Sequence, residues 1–153
     1  MKGTVDTDKI LPHIKTSQDI QLQSIIGTKL LEKCKDLVEA DALSTAGNEY
    51  YKTLVEDHIA PALVYYCMVD FIPFAAFEIA NGGIYQHTPE NTTPLEMADI
   101  SKLVQLYRDK AEFYGARLED YLCANSSHFP EYSQTDNGDL SSKGQSTFHG
   151  WHF

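Results

Sequence analysis

The residues with the widest chemical range in this 153-residue chain are scattered rather than gathered. Six histidines stand at positions 13, 58, 87, 128, 149 and 152, and three cysteines at 34, 67 and 123. A zinc site needs three or four converging N, S or O donors. His149 and His152 are the nearest pair, and they sit in an aromatic segment with no acid close by. The cysteines form no CxxC pair, are odd in number, and lie among apolar residues. They are expected to be small buried hydrophobes in a reducing, intracellular setting. No GxSxG, P-loop, HExxH or GxGxxG pattern is present. Gly82-Gly83 lacks the following helix and the lysine that a phosphate-cradling loop requires. These absences predict no catalytic residue, no metal and no cofactor.

One acid stands apart. Asp70 is set in the apolar run that follows Pro61, where an isolated carboxylate is costly unless paired. Such a residue is expected to cap a helix end or to pair with an arginine, and Arg108 and Arg117 on a later helix are the candidate partners, making Asp70, Arg108 and Arg117 a candidate buried polar set. The alternative, a functional acid of raised pKa, would go with a small helical enzyme or regulator using Asp70, His58 and core tyrosines.

The composition, 42% hydrophobic and 22% charged, is that of a soluble globular chain, and one domain-sized core fits its length. Acidic residues number 22 against 12 basic ones, a net charge of −10. Gripping phosphates needs clustered Lys and Arg, so this balance argues against a nucleic-acid binder or transcription factor. It is compatible with a channel past which DNA slides. Met1 to Lys9 has no apolar core of the kind a signal peptide carries. The segment from Ala60 to Ala80 is largely apolar, but Pro61, Asp70, Pro73 and Glu78 interrupt it. It reads as a buried core helix rather than a membrane span.

The elements that must position these residues are mainly helical. Ile10 to Ile14, broken by Pro12, suggests an extended arm at best. Thr16 and Asp19 suggest a capping box for a short helix from Ser17 to Ile26, interrupted at Gly27. A second helix is expected from Thr28 to about Leu43, with Leu31, Cys34 and Val38 on one face. Asn48 is a candidate cap for a third, which Pro61 should kink and Pro73 should end. The run Ala62 to Val69 has no polar face and is predicted to be buried on every side, in its own domain or between subunits. Asn81-Gly82-Gly83 signals a β-hairpin within 74–88, whose free edges could pair with another chain. Thr93-Pro94-Leu95-Glu96 opens the last helix, in which Ile100, Leu103, Val104, Tyr107, Ala111, Tyr114, Leu118, Tyr121 and Leu122 recur at spacings of three and four. After Asn125 the composition turns polar, and the chain finishes Phe148-His149-Gly150-Trp151-His152-Phe153. The expected organisation is a small bundle of about four helices over 1–124 with one inserted hairpin. Residues 125–153 are expected to form an extended, flexible docking tail, with Phe129 and Tyr132 near its start and Phe148, Trp151 and Phe153 as aromatic anchors.

The order of these features resembles a known family. Asp19-Ile20 and Ile25-Ile26-Gly27-Thr28, then Asn48 to Tyr51, Pro61-Ala62-Leu63 and Tyr65-Tyr66, then Asn81-Gly82-Gly83-Ile84, are followed by Tyr107 to Tyr114 and Arg117-Leu118. This set is similar to the head–tail connector (adaptor) proteins of tailed bacteriophages, in particular those of crAss-like and related phages of gut Bacteroidetes. Tyr121 to Asn125 and Phe129-Pro130-Glu131-Tyr132 belong to the same likeness, which covers Ile10 to Tyr132. The resemblance implies a virion structural protein at the head–tail junction, assembled in the host cytoplasm into a twelvefold ring below the portal. It implies as partners the portal protein and adjacent neck or tail rings, with DNA passing through the channel without specific binding. In that setting Asn81, Gly82, Gly83, Ile84, Tyr85, Phe129, Tyr132, Phe148, Trp151 and Phe153 would meet neighbouring subunits or proteins. Another neck component, such as a head-completion or tail-terminator protein, would share these features.

Overall fold

The computed structural model describes residues 7–75, 77–80, 83–86 and 96–133. Among them the chain is mainly helical and forms four rods. The first comprises α1 (Thr7–Ser17), a wider π turn (Gln18–Leu22) and α2 (Gln23–Ile26), which run on without interruption. Pro12 lies inside α1, where an extended arm is expected from sequence. The hydrogen bond that proline forfeits is offset by packing: His13 lies against Phe71 and Phe74 of a later helix, with ring centroids 5.6 and 5.0 Å away. Thr16 does not cap a helix; its hydroxyl donates back to the Pro12 carbonyl at 3.0 Å.

Gly27 makes the corner into α3 (Thr28–Glu39) with φ +81°, a conformation in which only glycine is comfortable. The Gln23 amide donates to Thr28 Oγ1 across the same corner at 2.8 Å. On α3 the buried residues are Leu30, Leu31, Cys34 and Leu37, while Val38 faces out. Asn48 does not cap the next helix, since its side chain donates to the Ala42 carbonyl and braces the preceding loop.

The third rod runs from Glu49 to Ala75, 27 residues, and comprises α4 (Glu49–Thr53), π turns (Leu54–Ile59) and α5 (Ala60–Ala75). The wide turns immediately precede Pro61, whose missing N–H and ring bulk they accommodate. Pro73 does not end the rod. The fourth rod, α6 (Met97–Ala124), spans about 42 Å at the helical rise per residue. It lies antiparallel along the third: His58 stacks on Tyr121 at 4.1 Å, and Tyr65 on Tyr114 at 5.0 Å. Between the two rods, β1 (Phe77–Ala80) pairs antiparallel with β2 (Gly83–Gln86), in register Phe77 to Gln86 and Ala80 to Gly83.

The core occupies one end of this arrangement. Leu22, Ile26, Leu30, Leu54, Leu118 and Leu122 are fully buried there, around Phe129. The expected boundary at residue 124 is corrected by the path of the chain beyond α6. Two short 3-10 turns, Ser126–His128 and Pro130–Ser133, fold it back onto α3 and α4. Phe129 is 0% exposed and meets Tyr51 edge-on at 5.2 Å. The Tyr51 hydroxyl donates to Glu131 at 2.8 Å, and Tyr50 stacks on His128 at 3.6 Å. A polar stretch is held because its two aromatics fill the end of the bundle.

The other end is thinly covered. The third rod is long and apolar enough to cross a membrane, and only 22% of its most apolar 18-residue window is buried. The expectation that Ala62 to Val69 is buried on every side therefore fails within the chain. Ala62 and Cys67 are buried, but Val64 is 58% exposed and Phe74 55%.

Candidate interaction surface

The unburied apolar residues of α5 and α6 form the most distinctive surface among the described residues. On α6 one face, Ile100, Ala111, Gly115, Leu118 and Leu122, is buried against the rest of the chain. A second row lies beside it at spacings of three and four: Leu103, Leu106, Lys110, Phe113 and Arg117. Leu106 is 50% exposed and Phe113 59%. An amphipathic helix needs one apolar face to hold a fold, and α6 has a second that its own chain leaves open.

Between the two helices Tyr65 joins the rows. It stacks on Tyr114, and its ring centroid is 6.1 Å from that of Tyr107. Lys110 Nζ lies 5.8 Å from the Tyr65 ring and 5.4 Å from that of Tyr107. The Arg117 guanidinium lies 6.0 Å from the Phe113 ring and 5.9 Å from that of Tyr114. Cations over π faces lie along apolar surface without leaving solvent, so Lys110 and Arg117 extend the apolar strip rather than interrupt it. Burying such side chains more fully contributes on the order of 1 kcal/mol each to an association.

The approach of α5 to α6 depends on Gly115. A Cβ built there would stand 2.5 Å from Tyr66 Oη and 3.6 Å from Ile25 Cδ1. A larger residue would push the rods apart at the junction of core and open end.

The sequence-derived candidates are distributed as follows. Asp70 is only part-buried, and its partner is His13 Nδ1 at 3.4 Å, not an arginine. Arg108 and Arg117 are exposed, which corrects the expected buried polar set. The arginines lie on α6 while Asp70 faces α1. Phe129 and Tyr132 are core residues, so their surface is spent inside the chain rather than on a partner. Gly83, Ile84 and Tyr85 lie on β2. Asn81, Gly82, Phe148, Trp151 and Phe153 lie outside the described residues. Periodicity alone hides part of the α6 row, because Leu103 falls in step with the core-facing positions while Leu106 does not. Phe113, three after Lys110 and four before Arg117, is the signal in the sequence that marks it.

Chemistry of the remaining titratable groups is subdued. Burial pushes the Cys34 thiol up to about 12, with the Glu131 charge adding to the effect, and burial raises Cys67 as well. Both thiols are buried, as expected, whereas Cys123 is exposed at the end of α6. Tyr51 is raised by burial and by its hydrogen bond to Glu131. His58 is lowered, first by burial and then by Arg117, against the opposing pull of Asp57. Among the described residues no three His, Cys, Asp or Glu side chains gather as a metal site. A cleft lined by Thr16, Ser17, Gln21, Tyr66 and Asp70 has a volume of about 60 Å³. Small-molecule sites occupy roughly 300–1,000 Å³.

One family model, described as a family of unknown function (DUF6712), matches residues 22–142, a range that takes in both the core and the α5/α6 rows. No curated protein and no solved structure was found to match the chain.

Proposed function

We propose a structural, non-enzymatic role for this chain, which belongs to the DUF6712 family: it is one subunit of an oligomeric ring at the portal–tail junction of a tailed phage. The observation that carries the assembly part is the open apolar surface of α5 and α6, on a chain whose core is complete at the opposite end. A monomer rarely keeps a contiguous apolar strip in water without a partner for it. The phage setting rests on the ordered likeness to adaptor proteins carried by Asp19-Ile20, Pro61-Ala62-Leu63, Tyr65-Tyr66 and Tyr107 to Tyr114.

Lipid is a poorer partner for this surface than protein. Along its length α5 is packed against α6, which carries Arg108, Asp109, Lys110 and Glu112 in its middle turns. Inserting α5 into a bilayer would drag those charges with it, at several kcal/mol each for a charge near the bilayer centre. The net charge of −10 suits a channel wall that repels DNA weakly and lets it pass. In this reading the β1–β2 hairpin reaches a neighbour or the channel, and the aromatics at 148–153 dock on the portal or an adjoining tail ring. The ring is twelvefold by analogy with adaptors, and needs no cofactor.

The separation of His58 from Asp70, which pair with Tyr121 and His13 respectively, weighs against a helical enzyme that uses both in one pocket. The test is co-assembly. The purified chain is mixed with the portal protein of its phage and imaged as particles. Added density as a ring on the tail-side face of the portal is expected. A portal ring that acquires no density overturns the placement.

A further inference from the structure

The α6 row and the outer side of α5 are complementary to each other, not to themselves. The α6 row holds Leu103, Leu106 and Phe113, and its charged members, Lys110 and Arg117, are both cations. On α5 and the turns before it the exposed residues are Glu56, Asp57, Ala60, Val64, Phe74 and Ala75, and the charged ones are both acids. The stackings of His58 on Tyr121 and of Tyr65 on Tyr114 fix relative height along the rods. On that scale Val64 stands within a turn of Phe113, and Phe74 within a turn of Leu106. Asp57 stands about one and a half turns from Arg117, within reach of a guanidinium on its long stem. Asp57 and Arg117 act on the charge of His58 with opposite sign, which places both near the same level of the chain.

We infer that the occupant of the α6 row is a second copy of this chain, which presents its α5 outer side so that Phe113 meets Val64 and Arg117 meets Asp57. This rests on the assembly reading above and specifies its contact. A two-fold contact of α6 row on α6 row, centred on Lys110, would set the Lys110 of both copies against each other with no acid between Leu103 and Arg117 in either row, and like charges facing each other weaken association. The head-to-tail contact removes that conflict. It joins different surfaces at equal height, so successive copies stand side by side with their rods parallel, and the array closes into a ring when the rotation permits.

The experiment is a complementation. Phe113→Glu blocks the α6 row and Val64→Glu blocks the α5 side. Each variant of the full chain is measured by sedimentation velocity and native mass, alone and mixed in equal amounts. Alone, each should associate at least about tenfold more weakly than wild type. Mixed, they should form a dimer and nothing larger, because each supplies the one surface the other has lost. Recovery in the mixture also proves that both variants fold. As a second measurement, Arg117→Asp and Asp57→Arg should each weaken assembly, and the double variant should restore it. Wild-type rings together with unaffected Val64→Glu rings overturn this contact and leave the assembly reading standing. A mixture that stays monomeric overturns it too. Wild type that remains monomeric, alone and with the portal, overturns both. Wild type that co-sediments with phosphatidylcholine vesicles through the same residues overturns the choice of a second copy in favour of lipid.

Discussion

Truncating Phe129 to alanine tests where the folded body ends. The side chain is fully buried, lies edge-on to Tyr51 at 5.2 Å and tilts against Tyr121 at 6.0 Å. Buried Phe→Ala changes cost about 3–5 kcal/mol, because transfer free energy is lost and a cavity remains. The aromatic pairs contribute roughly 0.5–1.5 kcal/mol beyond area, which puts the expected loss near the upper part of that range. For a chain of this length each kcal/mol moves the midpoint by about 2–4 °C, so Tm should fall by roughly 8–20 °C. Urea unfolding followed by far-UV circular dichroism, at two protein concentrations, separates this loss from any effect of assembly. Phe113→Ala is the control. Its ring is 59% exposed, so the unfolding free energy of the monomer should change by less than about 0.5 kcal/mol. If Phe129→Ala costs less than about 1 kcal/mol, residues 126–133 do not complete the core and the body ends with α6.

Four further outcomes are expected. Gly115→Ala should destabilise by about 1–3 kcal/mol despite alanine's helical preference, because its Cβ would meet Tyr66 Oη. In a Tyr66→Phe background, which removes that oxygen, the same substitution should approach neutrality in the same unfolding assay. Native protein treated with a thiol reagent at mildly alkaline pH should label rapidly at Cys123 and slowly at Cys34 and Cys67, and unfolded protein should label at all three. His58 has a folded pKa below its ordinary 6.5, so the neutral form is favoured in the fold. Its contribution is complete above that value and is lost as pH falls through it toward the folded pKa, because the unfolded chain takes up the proton first. Stability-against-pH curves of wild type and His58→Gln should therefore diverge on the acid side. Deleting residues 145–153 should leave helicity and Tm unchanged while weakening co-assembly with the portal, measured by co-sedimentation.

The helices are legible in the sequence because burial at their core faces repeats every three or four residues. Leu30, Leu31, Cys34 and Leu37 on α3, and Ile100, Ala111, Leu118 and Leu122 on α6, are such sets. Local rules fail where packing overrides them. Pro12 and Pro73 read as breaks, yet each sits in a helix supported by a neighbour, His13 on Phe71 and Phe74 serving both. Residues 126–133 read as tail because their composition is polar, although two aromatics suffice to bury such a stretch. Asp70 stands out in the sequence as an acid needing a partner, and the fold supplies one in His13. Which helix faces it depends on the relative placement of α1, α5 and α6, and no local pattern encodes that. The open α6 row is concealed for a related reason. Leu103 fits a core periodicity, and only the position of α5 decides which apolar residues on α6 remain uncovered.

The most direct measurement of the central claim is the native mass and particle image of the purified wild-type chain. Closed rings are expected, with a mass that is a whole multiple of the 17.2 kDa subunit. A single 17.2 kDa species at every concentration, alone and with the portal present, would contradict it.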